Sequence, residues 1–163
     1  MKNAKRSRVS AGLLMYRLTN GKLEVLLAHP GGPFFKKKDL GSWTIPKGEA
    51  AAGEDLFERA QIEFEEETGT PATGSEWIEL GWITQKGGKI VHGWAFEGDL
   101  PSDFVCRSNT FQMEWPPHSG KLVDFPEVDR VEFFELDRAR LRIKPTQEPF
   151  LDRLLDKLNS RDA

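Results

Sequence analysis

The chain has a single cysteine, Cys106, in 163 residues. No internal disulfide can form, and a reducing compartment, the cytoplasm, suits such a chain. Nothing near Cys106 in the sequence supplies a base partner, which argues against a catalytic thiol. Long apolar runs are missing too. Leu13, Leu14 and Met15 are soon interrupted by Arg17, and no apolar segment follows the basic start MKNAKRSR. Neither a signal peptide nor a transmembrane segment is expected. Residues 1–7 read as a disordered, solubilising tail in preference to a phosphate-binding arm. A large excess of one charge is also lacking: charged residues make up 30% and net charge is -3. That speaks against an extended nucleic-acid or membrane surface, while leaving room for a local basic patch. His92 and His118 lack metal-ligand spacing. Repeats, low-complexity tracts and an interdomain linker are absent, so one domain over residues 1–163 is expected.

What the chain does have is concentrated between Gly48 and Gly69, in GEAAAGEDLFERAQIEFEEETG. From Glu54 to Glu67 this stretch holds seven acidic residues and one basic residue, Arg59. It also carries an apolar stripe. At about 100° per residue, Leu56, Ala60 and Phe64 line one helical face, with Phe57 beside them. Glu67 falls within that face and Glu63 at its edge, where a solvated acidic helix would place neither. Glu63 pairs with Glu66 at i, i+3 and with Glu67 at i, i+4, so three carboxylates converge on one side. Like charges at those spacings repel, and acids near a helix C-terminus oppose its dipole. A hard divalent cation taking oxygen ligands is the natural compensation. Gly69 is a natural helix stop and Pro71 prevents continuation.

Around this helix the pattern predicts strands. Val9–Tyr16 and Leu23–Ala28 flank the turn 19–22 as a hairpin. A loop over 29–41 contains Lys36, Lys37 and Lys38, and a short extended piece, WTIPKG (43–48), enters the acidic segment. Strands follow at Trp77–Thr84 and Lys89–Phe96 about Gly87-Gly88, then at Val131–Phe134. Ser102–Lys121 has mixed character. Short and longer helices are expected over Asp137–Ile143 and Gln147–Leu158. The fold class is α/β (α+β), a mixed sheet sandwiched between helices.

At this point the sequence resembles the Nudix hydrolases. Their signature is a glycine, five residues, a glutamate, seven residues, then Arg-Glu-aliphatic-any-Glu-Glu-any-Gly-aliphatic. Gly48, Glu54, Glu63, Phe64, Glu66, Glu67 and Gly69 fall at matching positions. Ile62 replaces the signature arginine and Thr70 the final aliphatic. The resemblance implies a Nudix-type fold and Mg²⁺, with Mn²⁺ as the alternative, held by Glu63, Glu66 and Glu67 together with the carbonyl around Gly48. It implies helix support from Glu54, which as an acid at a helix N-terminus also suits the dipole. Isoleucine cannot steady a box glutamate as the arginine does. Arg59, at i, i+4 to Glu63, is a candidate substitute, and a surface partnership with Asp55 is the competing reading.

Family members also place an acid outside the box, before an aromatic in the last strand. Glu127, ahead of Phe133, fits best, as a metal ligand or general base, with Glu114 and Asp129 as runners-up. WTIPKG resembles the box entry of the diadenosine tetraphosphate hydrolase-like branch. Lys47, Lys36 and Lys38 are candidate phosphate contacts and Trp43 a candidate base-stacking residue. Trp94 and Trp115 are further stacking candidates, at least two of the three tryptophans being expected in the core. The implied activity is hydrolysis of a phosphoanhydride in a nucleoside polyphosphate or dinucleoside polyphosphate, by an NTP pyrophosphohydrolase or diadenosine tetraphosphate hydrolase-like enzyme. Removal of pyrophosphate from RNA 5′ ends is an alternative that the net acidic charge weakens. A non-catalytic nucleotide-binding regulatory module is another, resting on Ile62 alone.

Overall fold

A computed structural model describes residues 8–161. The tail reading at residues 1–7 lies outside the described residues. β1 (Val9–Thr19) and β2 (Lys22–Pro30) form the expected hairpin over Asn20-Gly21, both with positive φ. β1 is buried on both faces, which explains its unbroken apolar run. Its side chains alternate at the strand period of two. Ala11, Leu13 and Met15 join one core layer, and Leu14 and Tyr16 the other.

The first layer packs under α1 (Leu56–Thr68), which contributes Ala60 and Phe64, both fully buried. Burying the Phe64 ring stabilises the fold by roughly 1.5–3 kcal/mol. The second layer packs under α3 (Glu148–Arg161), through Phe150, Leu151 and Leu154. Between the layers runs a mixed sheet in the order β4-β5-β1-β2-β8, where β4 is Trp77–Thr84, β5 Ile90–Glu97 and β8 Val128–Glu135. Among the strand pairings of the described residues, β1–β5 is parallel and the others are antiparallel. α2 (Leu136–Arg142) follows β8 directly. The expected sandwich of a mixed sheet between helices is what the chain forms.

One feature of the sheet sets up the site. β1 and β2 pair only near their turn, at Tyr16↔Val25 through Thr19↔Lys22. Beyond it they splay, and the segment 43–49 enters the gap. Thr44 exchanges backbone hydrogen bonds with Ala28, at 2.7 and 3.0 Å, and β3 (Lys47–Glu49) pairs with β1 at Ala11↔Gly48. The WTIPKG piece is thereby wedged into the sheet and aimed at α1.

The stretch after β5, expected to be of mixed character, forms a hairpin. β6 (Thr110–Glu114) pairs with β7 (Leu122–Pro126) as a separate two-stranded ribbon. Phe111, Met113, Val123 and Phe125 alternate with exposed residues, so a period-two signal is present. Five-residue strands broken by Pro116-Pro117 kept it below notice.

Candidate active site

α1 starts at Leu56, two residues after its acidic run begins at Glu54. Asp55 is the N-cap and accepts from the Glu58 N–H at 3.0 Å, a cap contributing about 1 kcal/mol. Asp55 is therefore occupied locally and does not take the Arg59 side chain. Glu54 stands ahead of the helix, accepting the Ala51 N–H at 2.9 Å. Arg59 donates to Glu54 Oε2 from Nη2 at 2.6 Å and Nε at 2.9 Å, and to Glu63 Oε1 from Nη1 at 3.2 Å. One guanidinium thus links both glutamates, while Ile62 lies exposed at 42%.

The wedge meets the helix at Gly48. A Cβ on Gly48 would overlap the Glu63 carboxylate, so only glycine allows the close approach. The neighbouring Lys47 N–H donates to Glu67 Oε1 at 3.2 Å. Backbone and carboxylates therefore share one small space.

That space is hostile to charge. Burial pushes the Glu67 carboxyl up to about 8, against the opposing Lys47 N–H, with Glu63 and Glu127 adding repulsion. Burial and then Glu66 raise Glu63 above the usual carboxylate range, and Arg59 opposes them. The last turn of α1 holds no basic residue to offset its acids.

A cavity of about 520 Å³ collects these groups. Its walls include Lys47, Gly48, Glu63, Glu66, Glu67 and Glu127. Glu127 arrives from the junction of β7 and β8, far from the box in sequence. The two runner-up acids are engaged elsewhere. Glu114 accepts the His118 N–H at 2.8 Å, and Asp129 lies 2.8 Å from Nδ1 of the buried His29, whose Nε2 donates to the Lys38 carbonyl at 2.6 Å. Neither borders the cavity.

Among the described residues no three acids, histidines or cysteines converge into a ready ligand cluster. The acids border the cavity without converging, Glu63 held by Arg59 and Glu67 by the Lys47 N–H. The donor set nevertheless fits a hard cation: carboxylate oxygens and main chain, two of the carboxylates disfavoured as bare charges.

The basic residues sort differently from expectation. Lys36 and Lys38 are exposed on the 31–40 loop and do not border the acidic cavity. Trp43 is 1% exposed, donates its indole N–H to Asp39 at 2.7 Å and stacks edge-on against Phe134. It is core and cannot stack a base. Trp94 packs against Phe57, and Trp115 meets Phe34 edge-on. Lys47 is half-buried, and its amine is held below the usual lysine range by burial and by Lys144. Lys144 is lowered by burial and by Lys89. Lys86, Lys89 and Lys144 line a second cavity of about 440 Å³. Sequence reasoning missed these three, because they come from two distant segments and no motif links them. Asn109 and Thr110, which also border the acidic cavity, were missed likewise. A larger cleft of about 740 Å³ between β4 and α3 has no acid cluster, and Arg153 reaches the Leu80 and Trp82 carbonyls there at 2.9 and 2.8 Å.

A family model described as NUDIX domain matches residues 7–154. Among solved structures, the C. elegans Ap4A hydrolase binary complex is similar, at TM-score 0.66 and 24% identity, over 93% of this chain and 98% of that one. The NUDIX domain of Shewanella oneidensis NrtR complexed with ADP ribose aligns at TM-score 0.62 and 13% identity, over 95% and 90%. A Nudix hydrolase from M. Smegmatis, RenU, aligns at 0.59 and 20%, over 95% and 87%. These identities speak to fold. No curated protein matches the sequence. No helix among the described residues is long and apolar enough to cross a membrane.

Proposed function

The chain belongs to the NUDIX family of phosphoanhydride hydrolases, and we propose that its substrate is a nucleoside or dinucleoside polyphosphate hydrolysed with Mg²⁺ or Mn²⁺. The observation that carries this reading is the pairing of two cavities. One is walled by Lys47, Glu63, Glu66, Glu67 and Glu127, and the other is lined by Lys86, Lys89 and Lys144, of which Lys144 and Lys89 act electrostatically on Lys47. Carboxylates suit a divalent cation, and lysines with no acid nearby suit the phosphates of a long chain. The Ap4A hydrolase likeness points the same way. The lone thiol Cys106 suits a reducing, cytoplasmic setting.

In this reading Glu63, Glu66 and Glu67, with the main chain at Gly48, hold the cation. When bound it neutralises phosphoryl oxygens and lowers the pKa of water. Arg59 keeps the Glu63 carboxylate turned toward Gly48, in place of the arginine that Ile62 displaces. Glu127 accepts the proton of the attacking water, which needs hydrogen-bond reach directly or through one water. Lys47, Lys89 and Lys144 hold phosphates remote from the bond that breaks.

Arg59→Ala is expected to lower turnover by about tenfold, more than the 0.2–1 kcal/mol typical of an exposed ion pair. Steady-state kinetics at saturating Mg²⁺ check this. Turnover within twofold of wild type would return Arg59 to a surface role.

Comparing kcat/KM on diadenosine tetraphosphate, nucleoside triphosphates and nucleotide sugars tests the substrate class. The polyphosphates are expected to lead by at least about tenfold, each lost phosphate contact removing a charge-assisted bond of roughly 1.5–3 kcal/mol. A clear preference for a nucleotide sugar contradicts the proposal.

A further inference from the structure

Four residues beyond the box tie its helix to the late acid. The last carbonyls of a helix have no intrahelical donor and need partners from outside. In α1 the Glu65 carbonyl takes the Gly69 N–H at 2.8 Å. The next three are met by one segment: Glu66 O by the Asn109 N–H at 2.8 Å, Thr68 O by the Arg107 N–H at 3.1 Å, and Glu67 O by Cys106 Sγ at 3.4 Å. The approach is close. A Cβ on Gly69 would stand 2.8 Å from both Cβ and O of Arg107.

The same segment then bonds in the other direction. The Asn109 carbonyl accepts the Glu127 N–H at 2.8 Å. The Ser108 hydroxyl accepts the Val128 N–H at 3.1 Å and donates to the Asn109 carbonyl at 2.9 Å. On its far side the Glu127 carbonyl takes the Gly31 N–H at 3.0 Å. One residue, Asn109, therefore stands between the backbone of Glu66 and the backbone of Glu127, bonded to each.

We propose that Cys106–Asn109 is a positioning strap that sets the separation between Glu127 and the helix acids Glu66 and Glu67, with the Ser108 hydroxyl holding its Glu127 end. Its catalytic consequence rests on the hydrolase reading above, while its geometry does not. The physical need is clear: Glu63, Glu66, Glu67 and Glu127 repel one another across one cavity, and side-chain contacts alone would let the late acid drift outward. A backbone tie holds it in place whatever the charge state. The strap also gives the segment after β5 a role that its exposed, irregular sequence does not announce.

Two variants test this, Ser108→Ala and Ser108→Thr, the second keeping the hydroxyl. Amide hydrogen exchange reads the strap without substrate. Ser108→Ala is expected to speed exchange at Asn109, Glu127 and Val128 together, and Ser108→Thr to restore protection. Acceleration confined to Val128 would show that no strap exists. In turnover, Ser108→Ala is expected to lower kcat roughly tenfold with KM unchanged, as a small misplacement of a reacting group does. In the Glu127→Gln background the same change should add nothing, since its effect runs through Glu127. Independent, additive losses would contradict the strap as a device acting on Glu127. If the wild-type protein hydrolyses no nucleotide, the hydrolase reading falls and the exchange result alone decides the strap.

Discussion

Glu67→Gln is expected to fold normally and lose turnover by roughly 10²–10³-fold, the size that follows removal of one preorganised charge-stabilising group. Glutamine keeps the shape and the acceptor for the Lys47 N–H while removing the ligand charge. The same substitution makes an opposite prediction for stability without metal. The Glu67 carboxyl is raised from 4.5 to about 8 in the folded protein. A raised folded pKa means that the native state binds more protons than the unfolded one between those values, so the metal-free protein weakens as pH rises through that window. Glutamine resembles the protonated acid and has no such decline. Thermal melts in chelator across pH 5–8 should therefore show a falling Tm for wild type and a flatter one for Glu67→Gln. Near-wild-type turnover of the variant at saturating Mg²⁺ would remove Glu67 from the cation site.

Glu127→Gln is expected to cost roughly 10²–10⁴ in kcat with little change in KM, the range for loss of a general base. Glu114→Gln and Asp129→Asn are the controls. Glu114 caps a turn at His118 and Asp129 is engaged with His29, so neither should lower kcat comparably. Should Glu114→Gln be the inactive variant and Glu127→Gln active, the role of late acid would pass to the Glu114 segment.

The box was legible because helix geometry and chemistry make the same demand. Phe64 must face the core, Gly69 must end the helix in the left-handed region at φ 84, and Glu67 must sit where burial disfavours its charge. The sheet was legible for a similar reason. β1 reads as an apolar run because both of its faces are covered. What failed was information that lives in three dimensions. Trp43 is the same letter whether it stacks a base or fills a core, and only the splaying of β1 from β2 sends it inward. The lysines at 86, 89 and 144 sit on the β4–β5 connection and behind α2, a proximity set by packing and invisible in spacing. The β6–β7 ribbon stands off the main sheet with one face exposed, so its short alternating strands give a faint signal. Arg59 was half legible. Its helical position relative to Glu63 follows from i, i+4, but its stronger tie to Glu54 depends on how the loop before the helix turns back.

In the proposed function, phosphoanhydride hydrolysis depends on a divalent cation held by the carboxylates of one cavity. Metal-stripped protein incubated with diadenosine tetraphosphate in chelator, then supplied with Mg²⁺ at a series of pH values, tests it most directly. No hydrolysis is expected in chelator, with full recovery on adding Mg²⁺. The half-activating Mg²⁺ concentration is expected to fall by up to about tenfold per pH unit between pH 6 and 8, because the entering cation must displace the proton held on Glu67. Equal hydrolysis with and without chelator would contradict that dependence.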